Sequence, residues 1–165
     1  MSDFDAGPAS RLVVSAAVLD HLERPTALLC AARSYPPEHA GQFELPGGKV
    51  EPAERPTEAL VRELDEEIGL STRLGAELVP PGDLAVPAPP RGGAGDDAPA
   101  WPAMHGFRMR VWLAEPTRVG DRGRAGAAHE RLEWVSLNPP DQVRQLPWLP
   151  ADLPIIEALV TALGR

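Results

Sequence analysis

Apolar residues occur in short runs whose spacing changes along the chain. Residues 11–20 (RLVVSAAVLD) are β-branched and apolar with little polar alternation, which predicts a buried strand. Residues 26–33 (TALLCAAR) predict a second strand, antiparallel to the first across a turn at 21–25. Residues 34–42, with Pro36 and Pro37, predict a loop. Residues 43–45 predict a short strand that ends at Pro46-Gly47-Gly48, a turn signal. Over 56–68 the period becomes helical: Leu60, Leu64 and Ile68 recur every four residues as one stripe. Pro56 suits the first turn, where its missing N–H costs nothing. Glu58–Arg62 and Arg62–Glu66 have the i,i+4 spacing of helix ion pairs. Gly69 stands where a left-handed C-terminal cap belongs. Residues 76–79, 106–114 and 132–136 predict further strands, and 155–163 a helix after Pro154. Strands mixed with one early and one late helix predict an α/β class, a mixed sheet with helices on both faces.

Other stretches break this order. Residues 80–103 hold seven prolines and four glycines, the composition of a long surface loop inserted in the domain. Residues 1–10 read as a flexible leader, leaving 11–165 as one expected domain. Residues 116–128 form another loop rich in glycine and arginine. No internal repeat is visible.

Charge narrows the partners. The chain of 165 residues has 24 acidic and 16 basic side chains, a net charge of −8. That balance disfavours a nucleic-acid polymer and a polybasic membrane surface. The apolar run 12–19 is too short to span a bilayer. A single cysteine, Cys30, excludes an intrachain disulfide and reads as a core residue. The start, MSDFDAGPASR, lacks a signal pattern. The expected setting is cytoplasmic.

The charge is concentrated. Residues 48–70 carry seven acids and three bases. Glu63, Glu66 and Glu67 stand at i, i+3 and i+4, so one helix face presents three carboxylates, while Asp65 points elsewhere. Taken alone, such a face is usually a solvated acidic surface. Beside it, Arg62 can hold Glu54 or Glu66 in a bidentate pair. Clustered carboxylates also suit a hard cation, Mg²⁺ or Mn²⁺, which takes substrate phosphates as further ligands.

Gly48, Glu54, Arg62, Glu63, Leu64, Glu66, Glu67, Gly69 and Leu70 match, at every fixed position, the Nudix box G-x5-E-x7-R-E-U-x-E-E-x-G-U, in which U is aliphatic. The lead-in Phe43-Glu44-Leu45-Pro46-Gly47-Gly48-Lys49 resembles the MutT branch. So do His129…Trp134 and the stretch Trp148-Leu149-Pro150-Ala151-Asp152, which is similar to CTP-preferring members. The resemblance implies the Nudix fold, an α/β/α sandwich around a mixed β-sheet. It also implies Mg²⁺-dependent hydrolysis of a nucleoside triphosphate to the monophosphate and pyrophosphate, serving nucleotide-pool sanitisation or CTP/dCTP turnover. The Gly47 carbonyl, Glu66 and Glu67 would hold the metal. Glu63 would be a further ligand or would orient and deprotonate the attacking water. Arg62 and Glu54 would orient these groups.

Substrate residues follow from the same resemblance. Arg33 aligns with a substrate-contacting arginine; its other reading is a rim ion pair. Lys49, the only lysine in the chain, is either a phosphate contact or a solvated surface residue. Leu45 occupies a position where some relatives present an aromatic platform. Asp152 falls at a base-reading position, and is otherwise an N-cap of the terminal helix. Where relatives supply an additional acid this chain has Ala128; Glu130 is the nearest carboxylate, either substituting for it or simply exposed at a strand start. That leaves the number of metals open. His129 and Tyr35 give no catalytic signal of their own. Alternative activities are ADP-ribose or dinucleoside polyphosphate hydrolysis, and a non-catalytic nucleotide-binding domain. The partner is a nucleotide, and the chain a monomer or homodimer.

Overall fold

The first two strands are both apolar, yet they belong to different sheets. In the computed structural model, which describes residues 11–87 and 98–165, β1 (Leu12–Val18) and β2 (Ala27–Arg33) meet only at a single bridge, Leu19 to Leu28. The expected antiparallel pair therefore does not form. The turn between them is gathered by Asp20, whose carboxylate accepts from the backbone N–H groups of His21, Thr26 and Ala27 and from the Thr26 hydroxyl. With its ends tied there, the chain crosses from one sheet to the other.

The second sheet has the order β3 (Phe43–Glu44), β2, β8 (His129–Ser136), all antiparallel. In the first sheet, β1 pairs in parallel with β7 (Arg108–Pro116) and antiparallel with β4 (Gly47–Lys49). On the far side of β7 lies β5 (Thr72–Leu78), also antiparallel, and the short β6 (Trp101–Pro102) adds to β7. This sheet is mixed, as expected.

Helix α1 (Pro56–Ile68) has the predicted bounds and ends on Gly69 in the left-handed region, φ 61°. Its fully buried stripe Leu60, Leu64 and Ile68 packs on Val14, Ala16 and Val18 of β1 and on Leu29 of β2. Each such side chain contributes about 1.5–3 kcal/mol of burial. Helix α3 (Leu153–Ala162) sends Ile155, Ile156, Leu159 and Val160 into a second cluster with Ala17, Leu28, Cys30 and Trp101. Alternate residues of β1 and β2 therefore face opposite helices. That explains why both strands read as unbroken apolar runs, and it makes the α/β/α sandwich.

Other elements also differ from expectation, β8 among them, which begins at His129 rather than at 132. Strand β5 begins at Thr72, ahead of the predicted 76–79. A five-residue helix, α2 (Asp141–Gln145), was not expected. The 80–103 segment is not all loop: Val86 bridges Ala100, and Trp101 is buried with its indole N–H donating to the Leu78 carbonyl at 2.8 Å. The leader 1–10 and the part of that segment at 88–97 lie outside the described residues. Among the described residues, no helix is long and apolar enough to cross a membrane.

Candidate active site

The Gly47-Gly48 pair, expected as a turn, is the body of β4. Gly47 lies opposite Ser15 and Gly48 opposite Val14. A Cβ on Gly47 would overlap the Val14 carbonyl, and one on Gly48 would drive into the Glu63 carboxylate. The missing side chains let α1 and β1 close on β4 from both sides. This close approach, rather than a turn, is what the glycines serve.

Arg62 organises the acidic face. Its Nε donates to Glu54 Oε2 at 2.7 Å and its Nη2 to Glu54 Oε1 at 2.9 Å. Nη2 also reaches the Lys49 carbonyl at 3.2 Å. Nη1 is shared between Glu63 Oε1 at 3.0 Å and Glu66 Oε2 at 3.1 Å. The guanidinium hydrogen bonds, joined by the backbone N–H of Glu51, hold the Glu54 carboxyl down at about 2. Arg62 thus takes Glu54 and Glu66 together, two of the three partners the sequence offered it. The expected Glu58–Arg62 pair is absent, because Glu58 turns to Arg55 at 3.4 Å.

Beside this hub opens a cleft of about 250 Å³. Gly47, Gly48, Lys49 and Glu67 line it, together with Arg33, Glu44, Leu45 and Asp152. Val13, Phe107, Met109 and Leu149 provide apolar wall. Glu67 is half-buried, and burial pushes its carboxyl up to about 7; Glu63 and Glu44 add to the rise, while His129 and Arg33 oppose it. Glu66 remains exposed on the outer side.

Glu44, close enough to Glu67 to raise its carboxyl, divides its own carboxylate between two partners. Oε2 accepts from Arg33 Nη1 at 3.0 Å, and Oε1 meets His129 Nε2 at 2.9 Å. Arg33 Nε is held by the Tyr35 carbonyl at 3.0 Å. Asp152 is buried; its Oδ2 accepts the Leu45 backbone N–H at 2.7 Å. Burial pushes this carboxyl up to about 7, against the pull of that hydrogen bond. Asp152 does stand at the N-cap position of α3, but its side chain makes no cap hydrogen bond there and reaches Leu45 instead.

Arg33, Leu45, Gly47, Lys49, Glu67 and Asp152 are therefore gathered around one cleft. Glu63 adjoins it at Gly48, and Arg62 links Glu54, Glu63 and Glu66 behind it. Lys49 Nζ lies 6.0 Å from the centre of the Phe107 ring. Glu130 does not replace an acid at Ala128: it pairs with Arg131 at 2.6 Å, while Ala128 lines the cleft. Glu44, His129 and Phe107 were not among the expected site residues. Glu44 carried one signal, a lone carboxylate in an otherwise apolar short strand.

The donors suit a hard divalent cation. They are carboxylate oxygens, and Glu67 carries the strain of burial beside Glu63 and Glu44, which a cation would relieve. Among the described residues, no three carboxylates or imidazoles already stand together as a ligand cage. Arg62 occupies an oxygen of both Glu63 and Glu66.

Comparisons with known proteins point the same way. The NUDIX domain family matches residues 9–159. The CTP pyrophosphohydrolase of Escherichia coli K12 is 33% identical over 141 residues, covering 84% of this chain and 86% of that protein. A Mycobacterium tuberculosis protein named "Putative 8-oxo-dGTP diphosphatase 2" is 34% identical over 145 residues, covering 87% and 83%. The solution structure of the E. coli ORF135 protein superposes with a TM-score of 0.63 at 28% identity, over 93% of this chain and 90% of that one.

Proposed function

Because the chain belongs to the Nudix family, hydrolases of phosphoric anhydride bonds in nucleotides, we propose that it converts a nucleoside triphosphate to the monophosphate and pyrophosphate. The observation that carries this reading is Glu67, held half-buried on a cleft that Arg33 and Asp152 also line. The cleft so brings acidic oxygens together with polar groups of the kind that fix a nucleoside. The relatives named for CTP and for 8-oxo-dGTP support a triphosphate of the cytosine or oxidised-guanine class.

Glu66, Glu67 and the Gly47 carbonyl would hold a divalent cation, Mg²⁺ by preference. When bound, such a cation neutralises phosphate charge and lowers the pKa of water. Glu63 has Oε1 fixed by Arg62, leaving Oε2 to orient the attacking water and take its proton. The water oxygen bonds to phosphorus as the anhydride P–O bond breaks, and the pyrophosphate leaves with the electron pair. Lys49 contacts the phosphates. Arg33 and Asp152 bind the nucleoside, with Leu45 as an apolar seat for the base. Asp152, poised near neutrality, can accept a hydrogen bond from a base or donate one to it.

The test is incubation with Mg²⁺ and a panel of canonical and oxidised (d)NTPs, ADP-ribose and dinucleoside polyphosphates, with product identification. Pyrophosphate and a monophosphate from one triphosphate are expected. Turnover confined to ADP-ribose or dinucleoside polyphosphates, or no turnover at all, overturns the reading.

A further inference from the structure

Glu44, Arg33 and His129 come from the three strands of the second sheet, one residue from each. Along β2 and β8 the register is regular from Ala27–Ser136 to Ala32–Arg131, and then slips: Arg33 pairs with His129. Glu130 is the extra residue of a β-bulge. Such bulges re-aim a neighbouring side chain. Here the slip sets His129 across from Arg33, and the His129 side chain is fully buried behind Glu44. Glu44 sits on β3 opposite Ala31, two residues from Arg33 and so on the same face.

We propose that His129 is a positioning residue for Arg33, acting through Glu44. This rests on the reading of Arg33 as a substrate contact. Glu44 has its two oxygens pulled in opposite directions, one by the ring of His129 and one by Arg33 Nη1. Arg33 Nε is fixed separately by the Tyr35 carbonyl. Two of the three guanidinium nitrogens are thereby immobilised, and Nη2 is left for the cleft that Arg33 lines. A flexible arginine gains an oriented donor, because a buried strand residue with a rigid ring stands behind its carboxylate partner. His129 itself does not line the cleft, so it acts on substrate only through this chain of contacts.

A side chain that only filled space would give a different pattern of kinetics. His129→Leu keeps the volume and removes the hydrogen bond; His129→Gln keeps a donor near the Nε2 position. With the triphosphate turned over best, His129→Leu should raise KM about ten-fold while kcat moves less than about three-fold. His129→Gln should recover most of the loss, and Glu44→Gln should resemble His129→Leu. In Arg33→Ala, adding His129→Leu should change KM by less than about two-fold, since the group being positioned is gone. An independent readout needs no turnover: the ¹⁵N signal of Arg33 Nε should shift and broaden in His129→Leu and Glu44→Gln. If the panel shows no triphosphate hydrolysis, the proposed function fails while this signal still decides the positioning. The inference is overturned if the Arg33 signal is unmoved in both variants, or if His129→Leu lowers only the melting temperature with KM unchanged. Multiplying losses in the double variant would also overturn it.

Discussion

Arg62 and Glu54 meet in a two-point pair, Nε to Oε2 at 2.7 Å and Nη2 to Oε1 at 2.9 Å, across eight residues of chain. The pair leaves Nη1 free to hold Glu63 and Glu66 together. Lysine cannot supply this fork. Arg62→Lys should therefore keep the fold but lower kcat/KM by about 10–100-fold, with a larger Mg²⁺ requirement. Glu54→Gln should fall in the same range. Near-normal rates across a Mg²⁺ titration in both variants would show that the hub does not orient the carboxylates. Glu54 is held low, so its contribution to stability is present above about 4.5 and is lost as pH falls toward about 2.

Gly48 lies against the Glu63 side chain: a Cβ added there would fall 2.2 Å from the Glu63 carboxyl carbon. Gly48→Ala would push the Glu63 carboxylate aside, since the three atoms nearest the added Cβ all belong to it. A displacement of the order of an ångström costs about 100-fold in rate where geometry controls the reaction. The expected result is a loss of about that size in kcat with a melting temperature within a few degrees of the parent. Unchanged kcat would remove Glu63 from the chemistry.

The acidic hub was legible in the sequence because it is local: one helix, one loop, and fixed spacings from Gly48 to Leu70. The Leu60-Leu64-Ile68 stripe and the Gly69 cap were legible for the same reason. The partition of β1 and β2 into two sheets was not, since a strand buried on both faces carries no alternation to reveal its neighbour. The Glu44–His129 contact spans 85 residues and depends on a bulge, which no periodicity announces. The Gly47-Gly48 strand was masked because the same residues that permit a turn also permit close packing. Asp152 was found at its position, but its Leu45 partner depends on how α3 approaches β3. In five residues, α2 has too little pattern to stand out.

Asp152 predicts a pH dependence. Its buried carboxyl titrates near 7 in the folded chain against about 3.8 when unfolded. The folded state holds the extra proton between those values. Stability is therefore fully present below about 4 and falls as pH rises through about 7. The swing is about 4 kcal/mol for a shift of this size. Asp152→Asn keeps an oxygen for the Leu45 N–H and removes the titration. Chemical denaturation at pH 5 and pH 8 should show parent stability falling with pH and a flatter profile in the variant. Parallel profiles would assign the dependence to other groups.

The loop before β8 reaches back to the end of α1. The backbone N–H of Arg124 donates to the Ile68 carbonyl at 2.8 Å. An added Cβ at Gly126 would lie 2.5 Å from the Glu67 carbonyl oxygen. The loop thus covers carbonyls at the helix end, which lack partners within the helix. Any side chain at 126 must lift the loop or shift Glu67. Gly126→Ala should lower kcat about ten-fold and the melting temperature by a few degrees. Gly82→Ala is the control, because nothing lies within 4 Å of a Cβ there. It should leave both quantities unchanged. If Gly126→Ala matches Gly82→Ala in both measurements, the loop does not fix Glu67.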